Sequence, residues 1–110
     1  MLFNLHRAAA HEHLVLVEGY WSVIRLHQLS MPAVALMGRT LSWAQEALLM
    51  GSQARRITLC LDGDEPGRKA TEVLLPRLSR HFFVRTAMLG DREAPDTISE
   101  GMLKELVRMP

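Results

Sequence analysis

The run Ile57-Thr58-Leu59-Cys60-Leu61 ends abruptly at Asp62-Gly63-Asp64. A run this short and this apolar belongs to a central strand of a parallel sheet, covered on both faces. Two carboxylates one residue apart therefore arrive at the carboxyl end of a buried strand. A second such place lies upstream, where Leu14-Val15-Leu16-Val17 runs straight into Glu18-Gly19. Acids gathered at strand ends are costly unless a cation sits with them. Hard oxygen donors suit magnesium, which keeps several waters and takes one or two protein carboxylates alongside phosphate oxygens. The pattern points to phosphate chemistry.

From residue 14 onward apolar runs alternate with helical patterns, as in βα units that feed a parallel sheet with helices on both faces. Strands are expected at Leu14 to Glu18, Ala33 to Met37, Ile57 to Leu61 and Phe82 to Met88. A helix is predicted from Tyr20 to Leu29, with Tyr20, Val23, Ile24 and His27 on one face, stopped by Ser30-Met31-Pro32. Ser42 and Gln45 have capping-box spacing for a helix that runs to Met50 and ends at Gly51. The next helix starts near Asp64 or Glu65, tolerates Pro66 in its first turn, and is expected to kink or end at Pro76. A short amphipathic helix from Asp96 to Val107 closes the chain, and residues 1 to 13 form an extension ahead of a domain over 14 to 110.

With 110 residues and 48% hydrophobic content, the chain supports one domain with a core and is too short for two. A formal charge of +1 gives no global pull toward nucleic acid, so such binding requires a local basic patch. Cys60 is the only cysteine, which excludes an internal disulfide and cysteine-rich zinc sites and agrees with a reducing, cytoplasmic setting. No apolar stretch reaches the roughly 18 residues of a membrane span, and the first residues lack a signal-peptide layout.

Ligands of open parallel sheets bind beyond the carboxyl ends of the strands. Glu18 and Asp62 both project to that rim and Asp64 follows in the turn, while Gly19 and Gly63 leave room there for a metal or phosphate. The ordinary alternative for Asp62 and Asp64 is capping of the next helix. Arg39, Arg68 and Lys69 follow strand ends and can meet phosphates on the same rim; Arg55 and Arg56 precede a strand and belong to the opposite edge. His11-Glu12-His13 reads as a solvated loop, since nothing nearby completes a metal site. Trp21 and Trp43 each open a helix and are expected in the core, with base stacking at the rim as the alternative.

Leu14-Val15-Leu16-Val17-Glu18-Gly19-Tyr20, Ala33-Val34-Ala35-Leu36-Met37-Gly38 and Leu61-Asp62-Gly63-Asp64 with Gly67-Arg68-Lys69-Ala70 together resemble the Toprim domain of bacterial, phage and plasmid DNA primases. The family also includes the metal-binding domains of type IA and type II topoisomerases, recombination proteins and certain nucleases. The likeness runs from about Leu14 to Ser99, and Pro95-Asp96-Thr97 is similar to the acidic segment after the last core strand of primases.

The resemblance implies an α/β Toprim-like fold, three layers α/β/α around a central, mainly parallel four-stranded sheet. It implies phosphoryl or nucleotidyl transfer on nucleic acid with Mg2+ or Mn2+, Glu18 as general acid or base or metal ligand, Asp62 and Asp64 as the metal pair, and Asp96 as a further acid. Ser22 and Ala94 stand where primases place two more acids, which leaves one metal rather than two or three. Leu2 to Ala8 is similar to the segment joining a preceding basic subdomain to the Toprim core, so DNA and nucleotides are expected to engage a longer protein through its other domains, with no membrane. A Toprim nuclease or topoisomerase-related module, and a nucleic-acid-binding module with little catalysis, stay open.

Overall fold

The computed structural model describes residues 4–5, 10–38, 40–87 and 89–107. Among the described residues from 13 to 107, four strands, β1 (His13–Val17), β2 (Ala33–Ala35), β3 (Arg56–Leu59) and β4 (Phe83–Thr86), alternate with four helices, α1 (Tyr20–Gln28), α2 (Trp43–Met50), α3 (Glu65–Leu78) and α4 (Glu100–Val107). The strands form one all-parallel sheet in the order β2-β1-β3-β4. β1 and β3 occupy the centre, with Leu14 beside Ile57 and Leu16 beside Leu59. Their apolar runs follow from that place, because a central parallel strand meets helices on both sides.

Alternation along each strand builds two cores. Leu14, Leu16, Ile57 and Leu59 pack with Leu49 of α2 and Leu74 and Leu78 of α3. Val15, Val17 and Cys60 pack on the other face with Val23 and Leu26 of α1 and Leu103 of α4. The result is a three-layer α/β/α fold. Among the described residues no helix is long and apolar enough to cross a membrane.

Local chemistry fixes most element boundaries. The capping box at α2 forms, with Ser42 Oγ accepting from Gln45 N at 3.0 Å and Gln45 Oε1 accepting from Ser42 N at 2.9 Å. Helix α1 buries Ser22, Val23 and Leu26 rather than the expected stripe; Tyr20, Ile24 and His27 are exposed, because the sheet meets the face centred on Val23 and Leu26. Pro76 does not end α3. The helix continues to Leu78, since Leu74 and Leu78 are buried in the core and the Ser79 amide resumes the ladder to the Leu75 carbonyl at 3.0 Å. The closing helix starts at Glu100, and Met88, the expected end of the last strand, lies outside the described residues.

His13 opens β1 instead of lying in a loop, and its Nε2 meets Thr58 Oγ1 of β3 at 2.8 Å. Of the segment 2–8 only Asn4 and Leu5 are among the described residues. Leu5 packs against the α2–α3 core, and Asn4 Nδ2 donates to the Ala33 carbonyl at 3.1 Å.

Candidate metal and nucleic-acid site

Because β1 and β3 are neighbours running the same way, Glu18 and Asp62 emerge side by side at the carboxyl edge of the sheet. Both line a cavity of about 360 Å³ together with Ser22, Asp96, Met37 and the rings of Tyr20 and Trp21. Glu18 Oε1 is withdrawn from solvent. The Glu18 carbonyl accepts from the amides of Met37 at 2.7 Å and Gly38 at 3.3 Å, which ties the end of β1 to the turn after β2. Met37 holds a left-handed φ of 60° there, a conformation that costs a non-glycine residue energy and clusters at functional sites.

Asp96 reaches this cavity from the loop before α4. Ser22 Oγ donates to Asp96 Oδ1 at 3.5 Å, and Arg25 donates to the Asp96 carbonyl at 3.3 Å. Ser22 thus meets the remaining acid with a hydroxyl, where a second carboxylate would repel it.

Asp64 has a different post. It is the N-cap of α3, its Oδ1 accepting from the Gly67 amide at 2.7 Å. Gly67 is required by close approach, since a Cβ there would lie 2.1 Å from the Asp62 carbonyl oxygen. Gly63 is likewise enclosed by protein, a Cβ there falling 1.9 Å from the Gly90 carbonyl oxygen. The small residue at 63 therefore admits the 89–93 loop, whose Glu93 carbonyl accepts from the Gly63 amide at 2.7 Å, and not a ligand as expected. Around Gly19 nothing lies within 4 Å of an added Cβ.

Of the expected phosphate ligands, Arg68 pairs with Asp91 and lines a second cavity of about 280 Å³, with Asp62 on the shared wall. Lys69 pairs with Glu65 at 3.2 Å on the exposed side of α3. Arg39 lies outside the described residues. Cys60, between the acids and the core, has its thiol pushed up to about 12 by burial, with the charge of Asp62 adding to the effect. It stays protonated at neutral pH and packs rather than reacts.

Among the described residues no group of three or more His, Cys, Asp or Glu side chains is placed to hold one metal ion. The donors present nonetheless fit magnesium or manganese. Glu18 and Asp62 offer hard oxygens across one cavity, and such an ion is satisfied by one or two carboxylates with waters completing its shell. The arrangement fits a single hydrated cation, not a cage of acids.

The core expectation for the tryptophans fails, with Trp21 at the rim as in the alternative, and one ion pair escaped the sequence. Trp21 and Trp43 are 62% and 74% exposed, so neither is a core residue. Trp43 carries the Arg77 guanidinium 4.3 Å above its ring, and Arg77 in turn pairs with buried Glu46 of α2 and donates to the Leu41 carbonyl. A cation 31 residues away from its acid leaves no local signal, although Glu46 on an apolar helix face was a sign that one was needed.

A parallel α/β/α sheet with a Glu-Gly and an Asp-Gly-Asp turn at one edge defines a class, and comparison with known proteins identifies it. The Toprim-like family matches residues 15–98. A DNA primase of Myxococcus xanthus is 39% identical over 87 residues, which cover 77% of this chain and 14% of that protein. The solved zinc-binding and RNA polymerase domains of Aquifex aeolicus primase align with a TM-score of 0.79 at 31% identity, over 94% of this chain and 27% of that one. A DnaG primase catalytic domain bound to ssDNA aligns with a TM-score of 0.74 at 30% identity, over 93% of this chain and 35% of that one. The chain belongs to the Toprim-like family, as a Toprim domain of the primase type. It spans less than a fifth of the length of the curated relatives it matches.

Proposed function

We propose that residues 14 to 110 are the catalytic metal-binding domain of a longer cytoplasmic primase, with residues 1 to 13 as the tail of a preceding subdomain, and that it transfers nucleotidyl groups on nucleic acid. The observation that carries this reading is that Glu18 and Asp62, from adjacent parallel strands, line one cavity at the carboxyl edge. Mg2+ or Mn2+, when bound, supplies neutralisation of charge on phosphate oxygens. Glu18 and Asp62 would hold the ion, with Asp96 lining the same cavity and Asp64, the neighbouring cap of α3, completing the acidic edge. Glu18 also accepts or returns the proton of the attacking hydroxyl. Arg68, Lys69 and Arg39 bind phosphates, the first two by exchanging exposed ion pairs that contribute little to stability. DNA and nucleotides are partners of the longer protein, a reading supported by the ssDNA-bound relative.

Primer synthesis by the longer protein tests this. Glu18→Gln is expected to lower the rate about 100-fold or more, as loss of a general base does, and residues 1 to 110 alone are expected to make no detectable primer. Unchanged synthesis by Glu18→Gln would remove Glu18 from the mechanism. A second reading, a nucleic-acid-binding module with little catalysis, is favoured by Ser22 and Ala94 at two acid positions; an inactive longer protein that still binds single strands would select it.

A further inference from the structure

The cavity that carries the acids also carries exposed aromatic surface. Trp21 is 62% exposed and lines the cavity with Tyr20, the two ring centroids 5.0 Å apart with planes 42° from parallel. Large apolar rings are ordinarily buried, and an exposed one beside a site is the informative case. The other exposed indole, Trp43, already has the Arg77 guanidinium over its ring and lies on α2, away from the cavity. Trp21 sits at the start of α1, two residues past Gly19 and three past Glu18. Ring and carboxylate are therefore fixed relative to each other by the same short turn. Met37, exposed and with a left-handed φ, adds apolar surface to the cavity's lining.

We propose that Trp21, supported by Tyr20, is a stacking platform for a nucleobase whose phosphate is directed to the Glu18–Asp62 side of the cavity. The proposal rests on the metal-site reading above for where the phosphate goes. Its own content is the ring. Every base has a π-face, so an aromatic platform accepts nucleotides and single strands without sequence preference. The cavity, about 360 Å³, is of the size that takes a small organic ligand, and its acids would reject a bare phosphate, so nucleotide and cation are expected to enter together.

In the Trp43→Phe chain Trp21 is the sole tryptophan, and quenching of its emission reports a base in contact. The probes are ATP and a short oligo(dT), each with excess Mg2+ and again with chelator. Saturable quenching is expected, and isothermal titration calorimetry, which needs no indole, is expected to show binding weakened about tenfold by Trp21→Ala, the size of one lost stacking contact, and largely restored by Trp21→Phe. Quenching by ATP assigns the base to a free nucleotide, and quenching by oligo(dT) alone assigns it to a strand; either supports the platform. No quenching by either probe, or undiminished affinity in Trp21→Ala with a native circular dichroism spectrum, overturns it. Asp62→Asn separates the two readings. Loss of Mg2+ dependence with tenfold sensitivity to Trp21→Ala retained supports both. Unaltered Mg2+ dependence in Asp62→Asn sinks the metal reading and leaves the platform, whereas Mg2+-dependent binding indifferent to Trp21 sinks the platform alone.

Discussion

Glu18 and Asp62 follow adjacent parallel strands in which Leu16 pairs with Leu59, and both line one cavity at the carboxyl edge of the sheet. Asp64, two residues further on, spends a carboxylate oxygen on the Gly67 amide instead. The three acids are thus not equivalent, and substitutions should distinguish them.

Asp64→Ala removes the α3 cap and should lower stability by about 1 kcal/mol without metal present. Asp64→Asn keeps a capping oxygen and should be close to neutral. Urea unfolding in chelator measures both. Equal stability of Asp64→Ala and the parent chain would show that the cap contributes nothing.

Gly63 and Gly19 should respond oppositely to alanine. A Cβ at Gly63 would lie 1.9 Å from the Gly90 carbonyl oxygen, whereas one at Gly19, where φ is −126°, meets nothing within 4 Å. Gly63→Ala should cost about 2 kcal/mol or more through forced movement of the 89–93 loop, and Gly19→Ala should change stability by less than about 0.5 kcal/mol. A harmless Gly63→Ala in thermal melting would mean that the loop does not pack on the Asp-Gly-Asp turn.

Much of this architecture is legible along the chain, for identifiable reasons. Leu14 to Val17 is an unbroken apolar run, and Ile57 to Leu61 is interrupted only by the buried Thr58, because both faces of a central parallel strand are covered, and Ser42 with Gln45 is a local cap whose partners lie three residues apart. Contacts between distant residues leave weaker traces. The Glu46–Arg77 pair, the loop against Gly63 and the emergence of Trp21 from the core all depend on how α1, α2 and α3 settle on the sheet. Asp64 kept two roles open because a cap and a metal ligand need the same residue type at the same turn.

Stability should fall with acid partly through His13. Burial, then the charges of Arg56 and Arg85, hold its pKa below the ordinary 6.5. The unfolded chain therefore binds the proton first, so this contribution is complete above about pH 6.5 and is lost as pH falls toward the depressed folded value. Unfolding free energies at about pH 7.5 and pH 5.5 should differ more for the parent chain than for His13→Gln. Equal differences would take His13 out of the pH dependence.

Breaking the buried pair between α2 and α3 should be severe. Glu46 has a side chain only 9% exposed and pairs with Arg77, so Glu46→Ala leaves a guanidinium poorly compensated at a cost of about 3 kcal/mol. Chemical denaturation measures it, and a loss below about 1 kcal/mol would class the pair with surface bridges.

The central claim is that Glu18 and Asp62 together hold one divalent cation, and Mn2+ binding followed by electron paramagnetic resonance tests it most directly. The account predicts a single Mn2+ per chain, displaced by Mg2+ and lost when Glu18→Gln and Asp62→Asn are combined. Binding of the same stoichiometry and affinity by that double variant would contradict it.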